Sequence, residues 1–149
     1  MYDGPARDAL LAFKLGGERR AATAIGTVMA EAAIQLDAEV VTAVPGTRKS
    51  VSQRGFNPAE ALAKVVAARK GIPYARMLRK VRETADQAGL SKAERERNLD
   101  GAFAARAAGT TAIRVDDVRT TGATATACAR ALASAGVVKI DVLTFALAI

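Results

Sequence analysis

The run Asp116-Asp117-Val118-Arg119-Thr120-Thr121-Gly122-Ala123-Thr124 concentrates more chemistry than any other part of this 149-residue chain. Two adjacent acids close an apolar strand-like segment, and a hydroxyl-rich loop then opens into an alanine-rich helix. A helix start presents unpaired backbone N–H groups and the positive end of the macrodipole, which suits a phosphate monoester. Within residues 120–124, Thr120, Thr121 and Thr124 add hydroxyl donors, and Gly122 beside Ala123 lets the backbone approach an anion closely. The carboxylates of Asp116 and Asp117 repel phosphate, so they fit neighbouring sugar hydroxyls, as acceptors, or a hydrated Mg²⁺. A phosphate cradle flanked by two acids is a site for a phosphorylated ribose. The bland alternative is an ordinary strand–turn–helix corner with a surface acid pair.

The unbroken D-D-V-x-T-T-G-x-T pattern resembles the phosphoribosyl-pyrophosphate (PRPP) motif of the type I phosphoribosyltransferases. The resemblance implies that Asp116 and Asp117 contact the ribose hydroxyls and that residues 120–124 hold the 5′-phosphate. A phosphorylatable receiver domain also uses an acid pair, but there it follows the first strand, whereas most of this chain precedes the motif.

Composition narrows the classes further. The length is that of one domain, 1–149, and suffices for a full core. A single cysteine, Cys128, and no histidine exclude an internal disulfide framework, a conventional zinc centre and a His-based triad. No apolar run approaches a membrane span and no signal pattern opens the chain, so the expected setting is cytoplasmic, with no membrane partner. The net charge of +7 is uneven: residues 48–82 hold ten Lys or Arg against one acid, Glu60. Such an excess favours a polyanionic partner, either a pyrophosphate-bearing substrate or nucleic acid.

The elements that must position these residues follow from periodicity and punctuation. Residues 1–14 read as a short helical arm with Ala9, Leu10 and Phe13 on one side. Ala22, Ile25, Met29, Ala32 and Leu36 recur at helical spacing. Residues 39–44 form a buried strand ending at Pro45-Gly46. Asn57-Pro58-Ala59-Glu60 starts a helix with an N-cap, a first-turn proline and a glutamate at the third position, and Gly71-Ile72-Pro73 ends it. Further strands are expected over 74–78, 101–104, 111–115 and 139–146, with a helix over 121–135 and a cap for a short one at Ser91-Lys92-Ala93-Glu94. Alternating strands and helices predict an α/β fold: a mostly parallel central sheet flanked by helices, with ligands beyond the carboxyl ends of the strands. Arg114 is anomalous, a charge inside the central strand where the family usually has an aliphatic residue. It must either snorkel to solvent or pair with an acid at the sheet edge.

Two segments complete the site. The loop after the first strand carries Arg48, Lys49 and Arg54, candidates for the pyrophosphate because departing charge needs cations. The polar stretch 79–98 has the character of a mobile lid, with Arg82 or Lys92 adding positive charge. R-G-F-N at 54–57 and the run from Arg82 through Glu83-Thr84-Ala85-Asp86-Gln87 to Phe103 resemble the competence-associated ComF branch, as do Tyr2-Asp3-Gly4 and Leu11-Ala12-Phe13-Lys14. In that branch an N-terminal cysteine zinc module commonly precedes the transferase domain. This sequence lacks it, so the expectation is a shorter member or part of a longer protein. The resemblance implies a glycosyltransferase acting on PRPP, with Mg²⁺ as cofactor, displacing pyrophosphate by a nitrogen nucleophile. The alternative is a non-catalytic phosphoribosyl sensor or partner-binding module linked to DNA uptake. Type I relatives are often dimers, and the N-terminal helices would serve a homodimer interface or the core equally well. Direct nucleic-acid binding rests on the basic segment alone, without a recognised motif.

Overall fold

A computed structural model of the chain describes residues 4–16, 19–82, 84, 91–119 and 122–147. Three parallel strands, β1 (Val40–Ala43), β4 (Thr111–Arg119) and β5 (Lys139–Leu147), form the main sheet in the order β1-β4-β5. Two short strands, β2 (Leu78–Lys80) and β3 (Phe103–Ala105), pair antiparallel beside it. Helices α1 (Gly4–Gly16), α2 (Arg19–Ala32) and α4 (Pro58–Lys70) cover one face, and α6 (Ala123–Ser134) covers the other. Two further helices, α3 (Arg48–Arg54) and α5 (Lys92–Leu99), sit in the connections.

Side-chain alternation along the central strands explains the layering. Val41, Ala43, Ile113 and Val115 face the cluster built by Leu10, Phe13, Ile25, Met29, Leu62 and Val66. Val40, Val44 and Ala112 face Met77, Leu78, Cys128 and Leu132. Such parallel strands are buried on both faces, which is why they read as continuous apolar runs. Thr42 fits this interior because its Oγ1 accepts a hydrogen bond from the Met77 N–H (3.2 Å).

The expected α/β architecture is present, with local corrections. The strand expected over 74–78 lies later, at Leu78–Lys80, and Tyr74 makes only an isolated parallel bridge to Val41. The acids lie inside β4, which runs on to Arg119, rather than beyond its end. The loop expected to hold Arg48, Lys49 and Arg54 is helix α3, capped by Thr47 Oγ1 on the Ser50 N–H and ended by Gly55 at φ 77°. Asn57 caps α4 as expected, and Ser91 and Glu94 form a reciprocal capping box on α5. No described helix is long and apolar enough to cross a membrane.

Glu39 ties the starts of β1 and β4 together by accepting from the N–H groups of Thr110 and Thr111 and from Thr110 Oγ1. These bonds hold its carboxyl below the usual carboxylate range. Helices α2 and α4 meet closely at Gly26, where an added Cβ would lie 2.6 Å from Val65 Cβ. Alanine ordinarily gains about 1 kcal/mol over glycine inside a helix. Here overpacking against a stiff β-branched side chain costs about 1–3 kcal/mol and outweighs that gain. Gly26→Ala is therefore expected to lower stability in urea unfolding, and an unchanged or raised midpoint would contradict the close helix contact.

Candidate functional site

The site exists because β4 is longer than β1. Pairing with β1 ends at Ala43↔Val115, and the Val44 N–H still bonds to the Val115 carbonyl (3.0 Å). The chain then turns away at Pro45-Gly46, while β4 stays paired with β5 through Arg119↔Leu147. Asp116 and Asp117 thus occupy the stretch of β4 with no strand beside it on the β1 side. Backbone N–H groups fix their orientation: Asp116 Oδ1 accepts from the Asp117 N–H, and Asp117 Oδ1 accepts from the Val118 N–H, both at 2.9 Å.

A cavity of about 270 Å³ opens over the acids. Its wall combines Thr47, Ser50 and Arg54 around α3, Lys80 from β2, and Thr124 from the first turn of α6. Gly122, at φ 80°, takes the N-cap position of α6 and has no side chain to cap it. A left-handed backbone there favours glycine, and the first-turn N–H groups face an incoming anion. Asp116, Asp117, Thr124 and Arg54 are therefore gathered at one cavity, next to Gly122 and Ala123.

Other expected residues lie elsewhere. Arg48 lines a separate, larger cavity of about 620 Å³, and Lys49 is exposed and lines neither. Arg82 Nη2 donates to the carbonyls of Asn98 (2.9 Å) and Asp100 (2.6 Å), so it fastens the end of α5 instead of facing the acids. Lys92 begins α5, and its side chain lies outside the described portion, as do Thr120 and Thr121. Of the expected lid over 79–98, residues 92–99 form α5, while 83 and 85–90 lie outside the described residues.

Sequence reasoning missed Lys14. Its ammonium makes a 2.6 Å ion pair with Asp117. Phe13 explains why: it is 1 % exposed and packs on Phe56 with ring centroids 5.3 Å apart, which docks α1 beside the cavity. The Leu10/Phe13 spacing signalled a buried face, but nothing in the sequence said what that face would meet. Thr47 and Lys80 were missed as well. In the larger cavity Glu60 already pairs with Lys64 (2.9 Å) and Arg76 (2.8 Å), so its central charges are internally balanced.

The acids are electrostatically unlike ordinary surface carboxylates. Burial, reinforced by the neighbouring Asp117, pushes the Asp116 carboxyl up to about 7, while Arg114 pulls the other way. Two adjacent oxygen donors under mutual repulsion fit a divalent cation, which would relieve that repulsion. No cluster of three or more His, Cys, Asp or Glu occurs among the described residues. The donor set thus fits a hydrated Mg²⁺ shared with substrate oxygens better than an all-protein metal cage.

No protein-family profile and no curated protein matches the chain. Solved structures do. The chain superposes on the allosteric regulatory enzyme of purine biosynthesis with a TM-score of 0.54 and 23% identity, over 83% of this chain and 25% of that one. On the glutamine PRPP amidotransferase from B. subtilis, complexed with ADP and GMP, the TM-score is 0.55 with 26% identity, over 81% and 25%. The chain has the type I phosphoribosyltransferase fold. A Thermus thermophilus protein shares this phosphoribosyltransferase-like arrangement more distantly, at a TM-score of 0.50 and 20% identity, over 88% and 84% of the two chains. The chain spans about a quarter of the length of the two enzymes named first.

The raised Asp116 carboxyl has a consequence for stability. Between about pH 4 and pH 7 the folded protein keeps a proton that the unfolded chain has lost. The corresponding stabilisation is complete below the unfolded carboxylate range and disappears as pH rises through about 7. This contributes a decline of up to about 1.4 kcal/mol per pH unit. Urea unfolding from pH 5 to pH 8 is expected to show that decline in the wild type and a flatter profile in Asp116→Asn. Identical slopes would refute the assignment.

Proposed function

We propose that this chain is a PRPP-binding phosphoribosyltransferase domain, with residues 1–149 forming one such unit. The observation that carries the reading is the shared cavity of Asp116, Asp117, Thr124 and the basic residues Arg54 and Lys80, at the head of α6. In this reading Asp116 and Asp117 accept the ribose hydroxyls, directly or through Mg²⁺, and residues 120–124 hold the 5′-phosphate. Bound there, Mg²⁺ would supply charge neutralisation for the pyrophosphate oxygens.

During transfer the bond from the anomeric carbon to pyrophosphate breaks, its electron pair leaving with pyrophosphate. A nitrogen lone pair forms the new bond on the same carbon, and the nitrogen's proton passes to a carboxylate or the substrate. Arg54 and Lys80 stand where cations offset the charge gathering on the leaving group. Arg48 and Lys49 are left with a peripheral part, and Arg82 and Lys92 with organising or covering the α5 segment. The absence of histidine fits catalysis by positioning and electrostatics.

The ComF-like assignment, and with it a partner in DNA uptake, rests on the R-G-F-N and 82–103 patterns alone. A cytoplasmic setting and a homodimer belong to the same resemblance. One observation favours a second reading, a ribose-phosphate sensor without turnover: the Lys14–Asp117 ion pair already engages one of the two acids. Direct nucleic-acid binding gains little, because Lys64, Lys70, Arg76, Lys80 and Arg82 are each bonded within the protein.

Calorimetric titration of PRPP with and without Mg²⁺, beside the Asp116→Asn/Asp117→Asn double variant, tests the site. Metal-dependent binding is expected, with at least about a hundredfold loss in the variant, since both ribose contacts go at once. Binding by the wild type without pyrophosphate release, across nitrogen nucleophiles, would favour the sensor. No binding to folded wild-type protein would end the phosphoribosyl reading.

A further inference from the structure

Arg114 is the largest fully buried side chain in the protein, at 0 % exposure. It lies in the middle of β4, in register with Thr42 of β1 and Val142 of β5. Neither expected escape is realised: it does not reach solvent, and Nε, Nη1 and Nη2 have no hydrogen-bond partner among the described residues. Its face of the sheet is otherwise apolar, with Ala112, Cys128 and Leu132 packed together under α6. Its charge reaches the Cys128 thiol, which burial nevertheless pushes up to about 11. Thr144, in register with Asp116, also has a buried Oγ1 without a partner among the described residues.

An isolated buried cation is expensive, and an aliphatic residue would complete this cluster without that expense. The nearest compensation is Asp116, two residues along the strand, to which Arg114 is electrostatically attracted. Coulomb attraction in a poorly screened interior does not require contact. The two acids thus have two different countercharges. Lys14 on Asp117 ends a flexible stem and is partly exposed, so it can withdraw when a ligand arrives. Arg114 is enclosed on every side and stays.

We propose that Arg114 is a positioning residue, a fixed positive charge buried beneath the acid pair that holds Asp116 ready for the ribose hydroxyls at the expense of fold stability. The assignment rests on the phosphoribosyl reading of the site. It makes stability and affinity move in opposite directions, whereas a merely structural arginine would make them fall together.

Arg114→Met and Arg114→Lys, each compared with the wild type by thermal unfolding and by calorimetric titration with PRPP and Mg²⁺, separate the cases. Arg114→Met is expected to melt above the wild type yet bind PRPP about tenfold or more weakly, as removal of outer residues supporting a site typically does. Arg114→Lys, which keeps the charge, is expected to recover a substantial part of the affinity without melting above the wild type. If the wild type binds and Arg114→Met binds equally well, or if affinity merely follows melting temperature across the three proteins, the assignment is overturned alone. A folded wild type that binds no PRPP overturns the phosphoribosyl reading and this assignment with it.

Discussion

The organisation of this protein turns on unequal pairing along β4. Up to Val115 the strand is held by hydrogen bonds on both sides, and its side chains are buried on both faces. From Asp116 onward only β5 remains. The same strand therefore provides a rigid root and a half-open tip, so groups at the tip inherit positional precision without being sealed from a ligand. Helices α3 and α4 follow from the same asymmetry, because the chain leaving β1 must find another course at Pro45-Gly46. That course brings Thr47 and Arg54 opposite the acids.

Charge is distributed to match. The tip carries two carboxylates that would repel each other in isolation, and the fold sets a cation near each. One is mobile and delivered by α1; the other is fixed within β4 itself. Delivery of the first depends on aromatic packing rather than electrostatics, since Phe13 against Phe56 determines where α1 lies. The anion cradle and the acid pair thus depend on separate parts of the core.

Much of this was legible in the sequence, and the exceptions share physical causes. The acid pair, the glycine and threonines after it, and the Asn57 cap are local signals, carried by residues within one turn of each other. Helix α3 escaped because it has no buried residue, so no periodicity marks it; only Thr47 and Gly55 do. The second strand was placed early because Tyr74 and Ala75 follow a proline and look extended, yet the backbone there makes a single bridge. Lys14 and Lys80 reach the cavity through tertiary docking, which no spacing rule reports. Arg114 was conspicuous from the start, but its burial without a partner is a property of packing alone.

Gly122 leads to one more point. Most helices complete their first turn with a side chain from the N-cap residue, and α4 and α5 do so with Asn57 and Ser91. At α6 the N-cap is a glycine with none to offer. An anion bound there would act as the absent cap, so part of the folding of α6 is completed by the ligand rather than by the chain. The recognition element and the helix would then be one cooperative unit, whose order reports occupancy directly.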